Sequence, residues 1–210
     1  MTAHNEVPLC KKTNALLLRN FLNEADILEL LAASESVPQD ETSDIVSDVS
    51  SDMSIQGVAD TCFSDSHVAL NLHRTGHLAR VAPALQEKIV SGMRLQPGHW
   101  CDPSVAMLLN VRCVELHTYT VGGGLMTQGH RDHGSHLSMS MLISHAESME
   151  GGQMMTWEEG RPILHAMSRG DALLFPSLKT HNVAPITKGE RRTLVIELWR
   201  GETNMENRYS

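Results

Sequence analysis

The stretch "GHRDHGSHLSMSMLIS" (129–144) sets three histidines and one aspartate within seven residues, His130 to His136, and runs at once into an alternation of apolar and polar side chains. A side-chain period of two is that of a strand with one face buried. Metal-capable groups therefore stand at the mouth of a buried strand. Read as extended chain, His130 and Asp132 face the same side, with Arg131 opposite. His133 has the opposite parity. His136 has the right parity only if the strand stays regular through Gly134, so both are read as loop histidines near the mouth rather than as ligands.

One imidazole and one carboxylate leave a third ligand to be found. His181, 49 residues further on in "FPSLKTHNVAPITKGERRT", stands at the end of a short apolar run and is the candidate. Two histidines and a carboxylate on one face of a metal leave positions open opposite, the ligand set of non-haem iron oxygenases. Ten residues beyond His181, Arg191 opens the last β-rich run, and Thr193 shares its face by alternation. A guanidinium holds a carboxylate through two parallel hydrogen bonds, and a neighbouring hydroxyl supplies another. The chain thus offers a metal site and a carboxylate clamp together.

The rest of the second half is β-rich. "VRCVELHTYTV" (111–121), "HLSMSMLIS" (136–144), "DALLFPS" (171–177) and "RTLVIELW" (192–199) are separated by the turn signals "VGGG", "EGG", "SRGD" and "TKGE". Short strands at this spacing predict a sandwich or jelly roll. The first half reads as helical. Residues 14–34 carry a helical pattern, with Asn23 as N-cap and Asp26 in the capping-box position. A second helix is expected from about Gly76 to Arg94, with Pro83 in a first turn or at a kink. Between them, "ESVPQDETSDIVSDVSSDMSIQ" (35–56) is rich in Ser and Asp and has no Lys, Arg or aromatic residue; it reads as a mobile acidic loop. The expected division is a helical segment over 1–34, the acidic loop over 35–66, helical support over 67–105, a β core over 106–201 and a tail over 202–210.

The 210 residues suffice for one domain with a core of its own, and the formal net charge of -8 speaks against nucleic acid as the main partner. Cys10, Cys62, Cys101 and Cys113 form no CxxC pair and read as thiols in a reducing compartment. The opening "MTAHNEVPLC" lacks the blocks of a signal peptide, and no apolar run reaches membrane-spanning length. The expected location is the cytoplasm, with no membrane partner.

"GHRD", "EGGQMMTW" and "RGDALLFPSLKTHNVAPITKGERRTLVIELW" together resemble the iron- and 2-oxoglutarate-dependent dioxygenases, and among them the prolyl 4-hydroxylase group. The resemblance covers roughly residues 106–201 and extends to the helix "FLNEADILELL". It implies a mostly β fold with flanking helices, the double-stranded β-helix or jelly roll. It also implies that His130, Asp132 and His181 bind Fe2+. Arg191, with Thr193, would hold the distal carboxylate of 2-oxoglutarate, and Tyr119 would donate to the same carboxylate. No catalytic residue beyond the metal ligands is implied. The reaction would turn O2, 2-oxoglutarate and a C–H bond into an alcohol, succinate and carbon dioxide, with ascorbate as reductant. A carboxylate at position 132 opposes halogenation, because a halide needs that coordination position.

The implied substrate is a prolyl residue of a peptide or protein. A free amino acid or other small molecule comes second, and nucleic-acid demethylation third. A non-catalytic metal-binding jelly-roll module stays open beside these; there Arg191 would be a surface ion-pair residue. Other residues divide less sharply. His117 shares a face with Glu115 and Tyr119 and either lines the pocket or sits in the core. His145 and His165 read as solvated, Met139 and Met141 as core, and Trp199 as packing. Glu197 needs a partner if buried.

Overall fold

The computed structural model describes residues 15–38, 67–96, 101–127 and 129–206. Eleven strands and four α-helices follow in chain order among the described residues: β1 (Leu16–Leu18), α1 (Glu24–Glu35), β2 (His67–Asn71), α2 (His77–Val81), α3 (Pro83–Leu95), α4 (Pro103–Ala106), β3 (Asn110–Tyr119), β4 (Leu137–Leu142), β5 (Glu150–Gly151), β6 (Met154–Glu158), β7 (Arg161–His165), β8 (Ala172–Pro176), β9 (His181–Val183), β10 (Ile186–Lys188) and β11 (Arg191–Trp199).

The alternating runs become a six-stranded antiparallel sheet in the order β1-β8-β4-β11-β3-β2. A smaller sheet, β7-β6-β9, is extended by a bridge from Leu125 to Val183, and β10 pairs with β5. Strand pleating sends Leu137, Met139 and Met141 of β4, and Leu194, Ile196 and Leu198 of β11, into the larger core with Ile27 and Leu30 of α1 and Leu85, Ile89 and Met93 of α3. The opposite face of the large sheet looks toward the small one. Tyr119, Leu173 and Phe175 meet Met154, Val183 and Ile186 there in a second, smaller core. Two facing antiparallel sheets with helices on one outer face are the expected jelly roll.

Local chemistry explains the helices. Asn23 accepts from the Asp26 backbone N–H at 3.0 Å while Asp26 accepts from Asn23 at 2.7 Å, the expected capping box. Pro83 stands in the first turn of α3, where a missing N–H costs nothing. Ala82 leaves helical geometry at φ -138°, so the single helix expected over 76–94 is two, α2 and α3.

Four further expectations change. Leu16–Leu18, read as the start of a helix, pair with Leu174–Ala172 as an edge strand; three consecutive leucines fit either period. Residues 67–105 open with a strand rather than a helix. His165, read as solvated, is buried at 2% exposure. His130–Asp132, read as extended, lie outside any strand, in a turn where the Ser135 N–H bonds the Asp132 carbonyl. The acidic stretch lies outside the described residues from 39 onward, as do Cys10 and Cys62.

Candidate active site

His130 and Asp132 arrive on the turn before β4, and His181 opens β9 in the opposite sheet. One ligand atom from each lies within 4.8 Å of the other two. Asp132 Oδ1 stands 3.4 Å from His130 Nε2 and 3.6 Å from His181 Nε2. The two imidazoles meet edge to face at 4.8 Å. The backbone fixes this convergence: the His181 N–H bonds the His130 carbonyl at 3.2 Å, and the Asp132 N–H bonds the Ser177 carbonyl at 2.9 Å.

The neighbours orient the ligand atoms. His181 Nδ1 lies 2.9 Å from the Lys179 carbonyl, so that nitrogen donates and Nε2 keeps its lone pair toward the cluster. Ser138 Oγ donates to Asp132 Oδ2 at 2.6 Å and meets Ser177 Oγ at 2.9 Å, so Oδ1 is the oxygen left facing both histidines. Two imidazole nitrogens and one carboxylate oxygen suit a divalent transition metal with open positions.

The turn itself is held from below. The Arg112 guanidinium donates to the His133 carbonyl at 2.5 Å, to Ser135 Oγ at 3.1 Å and to Glu197 at 3.3 Å. Glu197, wholly buried, also accepts from Ser135 Oγ at 2.5 Å. The buried carboxylate expected to need a partner is bonded by Arg112 and Ser135. Arg112 also lies 5.6 Å over the Trp199 ring, which therefore serves packing.

Arg191 opens β11 and is 1% exposed. Its Nε and Nη1 are buried with no hydrogen-bond partner. Burial lowers its pKa. The guanidinium lies 5.6 Å over the Tyr119 ring, its register neighbour on β3. On that ring His67 stacks at 4.2 Å and 3°, and His67 Nε2 meets His117 Nδ1 at 2.6 Å. His117 Nε2 in turn reaches Glu115 at 3.0 Å. Burial, and then the neighbouring His117, push His67 down to about 3, so it is neutral at physiological pH. Thr193 sits two residues along the same face, but its hydroxyl donates to the Met141 carbonyl at 2.8 Å and meets Ser140 Oγ at 3.0 Å. That hydrogen is already committed within the sheet.

The same arrangement of sheets recurs in solved structures. A 2-oxoglutarate–Fe(II) oxygenase family oxidoreductase from Burkholderia pseudomallei aligns over 94% of this chain and 90% of its own at TM-score 0.65 and 12% identity. This is the fold of the 2-oxoglutarate- and iron-dependent oxygenases. A prolyl hydroxylase from Trichoplax adhaerens aligns over 91% of this chain and 86% of its own at TM-score 0.60 and 14% identity. A prolyl-4-hydroxylase from Pseudomonas putida aligns over 91% and 95% at TM-score 0.58 and 15% identity. In sequence, a PKHD-type hydroxylase from Parvibaculum lavamentivorans is 39% identical over 59 residues, 28% of this chain. The match spans about a quarter of that relative, 27% of its length. No family model matches.

The sequence reading singled out His130, Asp132 and His181, which the structure gathers in one cluster, and Arg191 and Tyr119, which it sets against each other. It missed Ser138, Ser140, Ser177, His67 and Arg112. The serines had a signal: at 138 and 140 they occupy the inward parity of a strand whose other residues are Leu and Met. His133 and His136 are exposed on the turn and stand outside the cluster, as expected.

Proposed function

We propose that this protein is an iron- and 2-oxoglutarate-dependent dioxygenase that hydroxylates a C–H bond, with a prolyl residue of a peptide or protein as substrate. The observation that carries the reading is Arg191: a buried guanidinium with two partnerless nitrogens, in the same barrel as a His–Asp–His cluster. Buried charged donors left without acceptors are costly, and a carboxylate brought in by a ligand would satisfy them. A non-catalytic module gains nothing from that arrangement. The prolyl preference draws on the likeness to the PKHD-type hydroxylase and to the prolyl hydroxylases.

In this reading His130, Asp132 and His181 hold Fe2+. Arg191 holds the distal carboxylate of 2-oxoglutarate, and Tyr119, flat between Arg191 and His67, keeps the guanidinium in place and offers its hydroxyl. Ser138 holds Asp132 so that one oxygen faces the metal. Phe175, whose ring centre is 4.7 Å from that of His181, and the second core close the interior to water. Bound iron and 2-oxoglutarate supply the oxidation: one oxygen atom of O2 enters the substrate, the other enters succinate, and carbon dioxide leaves. Ascorbate keeps the metal reduced. Among the described residues no helix is long and apolar enough to cross a membrane. A cytoplasmic location, a peptide partner and no role for nucleic acid belong to the same proposal.

The test is succinate formation from 2-oxoglutarate with Fe2+, ascorbate and proline-containing peptides, with mass spectrometry of the peptide. Succinate together with a +16 Da peptide is the expected result, the mass of one added oxygen atom. Metal binding without any 2-oxoglutarate binding would instead establish the non-catalytic module.

A further inference from the structure

The chain that leads into His130 is pinned to β9 at two places. Leu125 exchanges two backbone hydrogen bonds with Val183, each 2.9 Å long, and the His130 carbonyl accepts from the His181 N–H at 3.2 Å. Between these pins the chain is longer on one side, Leu125 to His130, than on the other, Val183 to His181. The longer side must bow away from β9, and backbone pairing alone leaves the bow without support.

A single side chain supplies that support. Asn182 is the β9 residue between the pins, and strand alternation turns it to the face opposite the His181 ring. It is 2% exposed. Its Nδ2 donates to the Leu125 carbonyl at 2.9 Å and to the Thr127 carbonyl at 3.0 Å. The Thr127 carbonyl also accepts from the His130 N–H at 3.2 Å, so one oxygen joins Asn182 to a residue of the metal-capable cluster. On its other side Asn182 Oδ1 accepts from Trp157 Nε1 at 2.6 Å. An indole N–H only donates and backbone carbonyls only accept, so one orientation of the amide satisfies all three bonds.

We propose that Asn182 is a positioning residue for the metal centre: it holds the 125–130 segment so that His130 meets His181 and Asp132 at bonding distance, and Trp157 fixes the amide that does so. Both carbonyls that it bonds have a second donor in the Val183 and His130 N–H groups, so its loss shifts the bow rather than stranding them. The effect falls on where His130 sits. The inference rests on the metal-binding part of the proposed function and is independent of 2-oxoglutarate, substrate and turnover.

The experiment uses the full chain stripped of metal by chelation and titrated calorimetrically with Co2+, with His181→Ala to subtract binding elsewhere. Asn182→Leu keeps the volume and removes all three bonds; it should weaken Co2+ binding by roughly tenfold or more, the range found when groups that orient metal ligands are removed. Trp157→Phe, which leaves the two carbonyl bonds in place, should weaken it less. Ile89→Val, a core change on the far side of the large sheet, is the control for stability: it should lower the urea midpoint and leave Co2+ affinity at the parent value. Hydrogen exchange of the metal-free protein adds a second readout, with faster exchange expected at 125–132 in Asn182→Leu and not in Ile89→Val. Parent affinity and parent exchange in Asn182→Leu overturn the inference alone. Equal losses of affinity in Asn182→Leu and Ile89→Val overturn it too, since affinity would then follow stability. A parent protein that binds no Co2+ overturns the metal site of the proposed function together with this inference.

Discussion

Ser138 Oγ stands 2.6 Å from Asp132 Oδ2, on the far side of the carboxylate from the two imidazoles that approach Oδ1. The hydroxyl divides the labour of the two oxygens, leaving one for a metal and pinning the other to β4. Groups that orient a ligand in this way typically change metal affinity by roughly 10–100-fold when removed. Ser138→Ala should therefore weaken divalent-metal binding by about that factor, measured by calorimetric titration. Ser138→Thr should restore most of it. Unchanged affinity in the alanine variant would remove Ser138 from this role.

Arg191 predicts an opposition between stability and function. Its Nε and Nη1 are buried without hydrogen-bond partners; burying a charge costs several kcal/mol, and even buried ion pairs are often replaced by apolar side chains of similar size with a gain of about 1–4 kcal/mol. Arg191→Met should thus raise the urea midpoint of the ligand-free protein while abolishing 2-oxoglutarate binding. Metal affinity should stay near that of the parent. A destabilised variant would mean that the guanidinium's contact with Tyr119 outweighs its desolvation.

Acid should unfold the protein earlier than its carboxylates alone require. His67 and His165 are pushed from 6.5 to about 3 and about 4 by burial. Their folded values lie below the unfolded one, so between these limits the unfolded chain binds more protons than the folded one. Stability is full above pH 6.5 and falls as pH drops toward 4, by up to about 1.4 kcal/mol per pH unit for each histidine that titrates independently. Urea denaturation at pH 7.5, 6 and 5 measures the slope. His165→Gln, which keeps a polar side chain without a titrating ring, should reduce it. An identical slope in that variant would contradict the assignment.

What the sequence made legible was whatever depends on period and spacing. The alternation in 136–144 and 192–199 showed β4 and β11, and parity along β11 put Arg191 inside. The three-to-four spacing with Asn23 and Asp26 showed α1. What stayed hidden depends on long-range pairing. Leu16–Leu18 carry no period that separates strand from helix, and only β8 alongside decides it. β6, β7 and β9 lack clean alternation because the small sheet buries Thr156 and His165 by pairing them with each other. His130 and Asp132 converge for a different reason from the one parity gave: a turn, fastened by Ser177 and Arg112, brings them together. The metal-capable cluster was readable because its residue types are few and chemically specific, whereas the hydroxyls that orient it look like any other serines.

Gly151 and Gly152 separate fold from function at adjacent positions. Both have positive φ, +81° and +68°, so alanine is strained at either. A Cβ on Gly151 would meet the Pro185 carbonyl oxygen at 2.2 Å, a backbone atom fixed by the pairing of β5 with β10. A Cβ on Gly152 would meet side chains instead, Ile186 Cδ1 at 2.4 Å and Arg191 Cδ at 3.0 Å. Side chains can yield where backbone cannot. Gly151→Ala should therefore cost more stability, beyond the ~1–3 kcal/mol of backbone strain that both share. Gly152→Ala should fold with the smaller loss but push the Arg191 stem, raising KM for 2-oxoglutarate with little change in metal affinity. Thermal denaturation ranks the first effect and co-substrate titration the second. Equal KM values in the two variants would show that Gly152 does not set the position of the guanidinium.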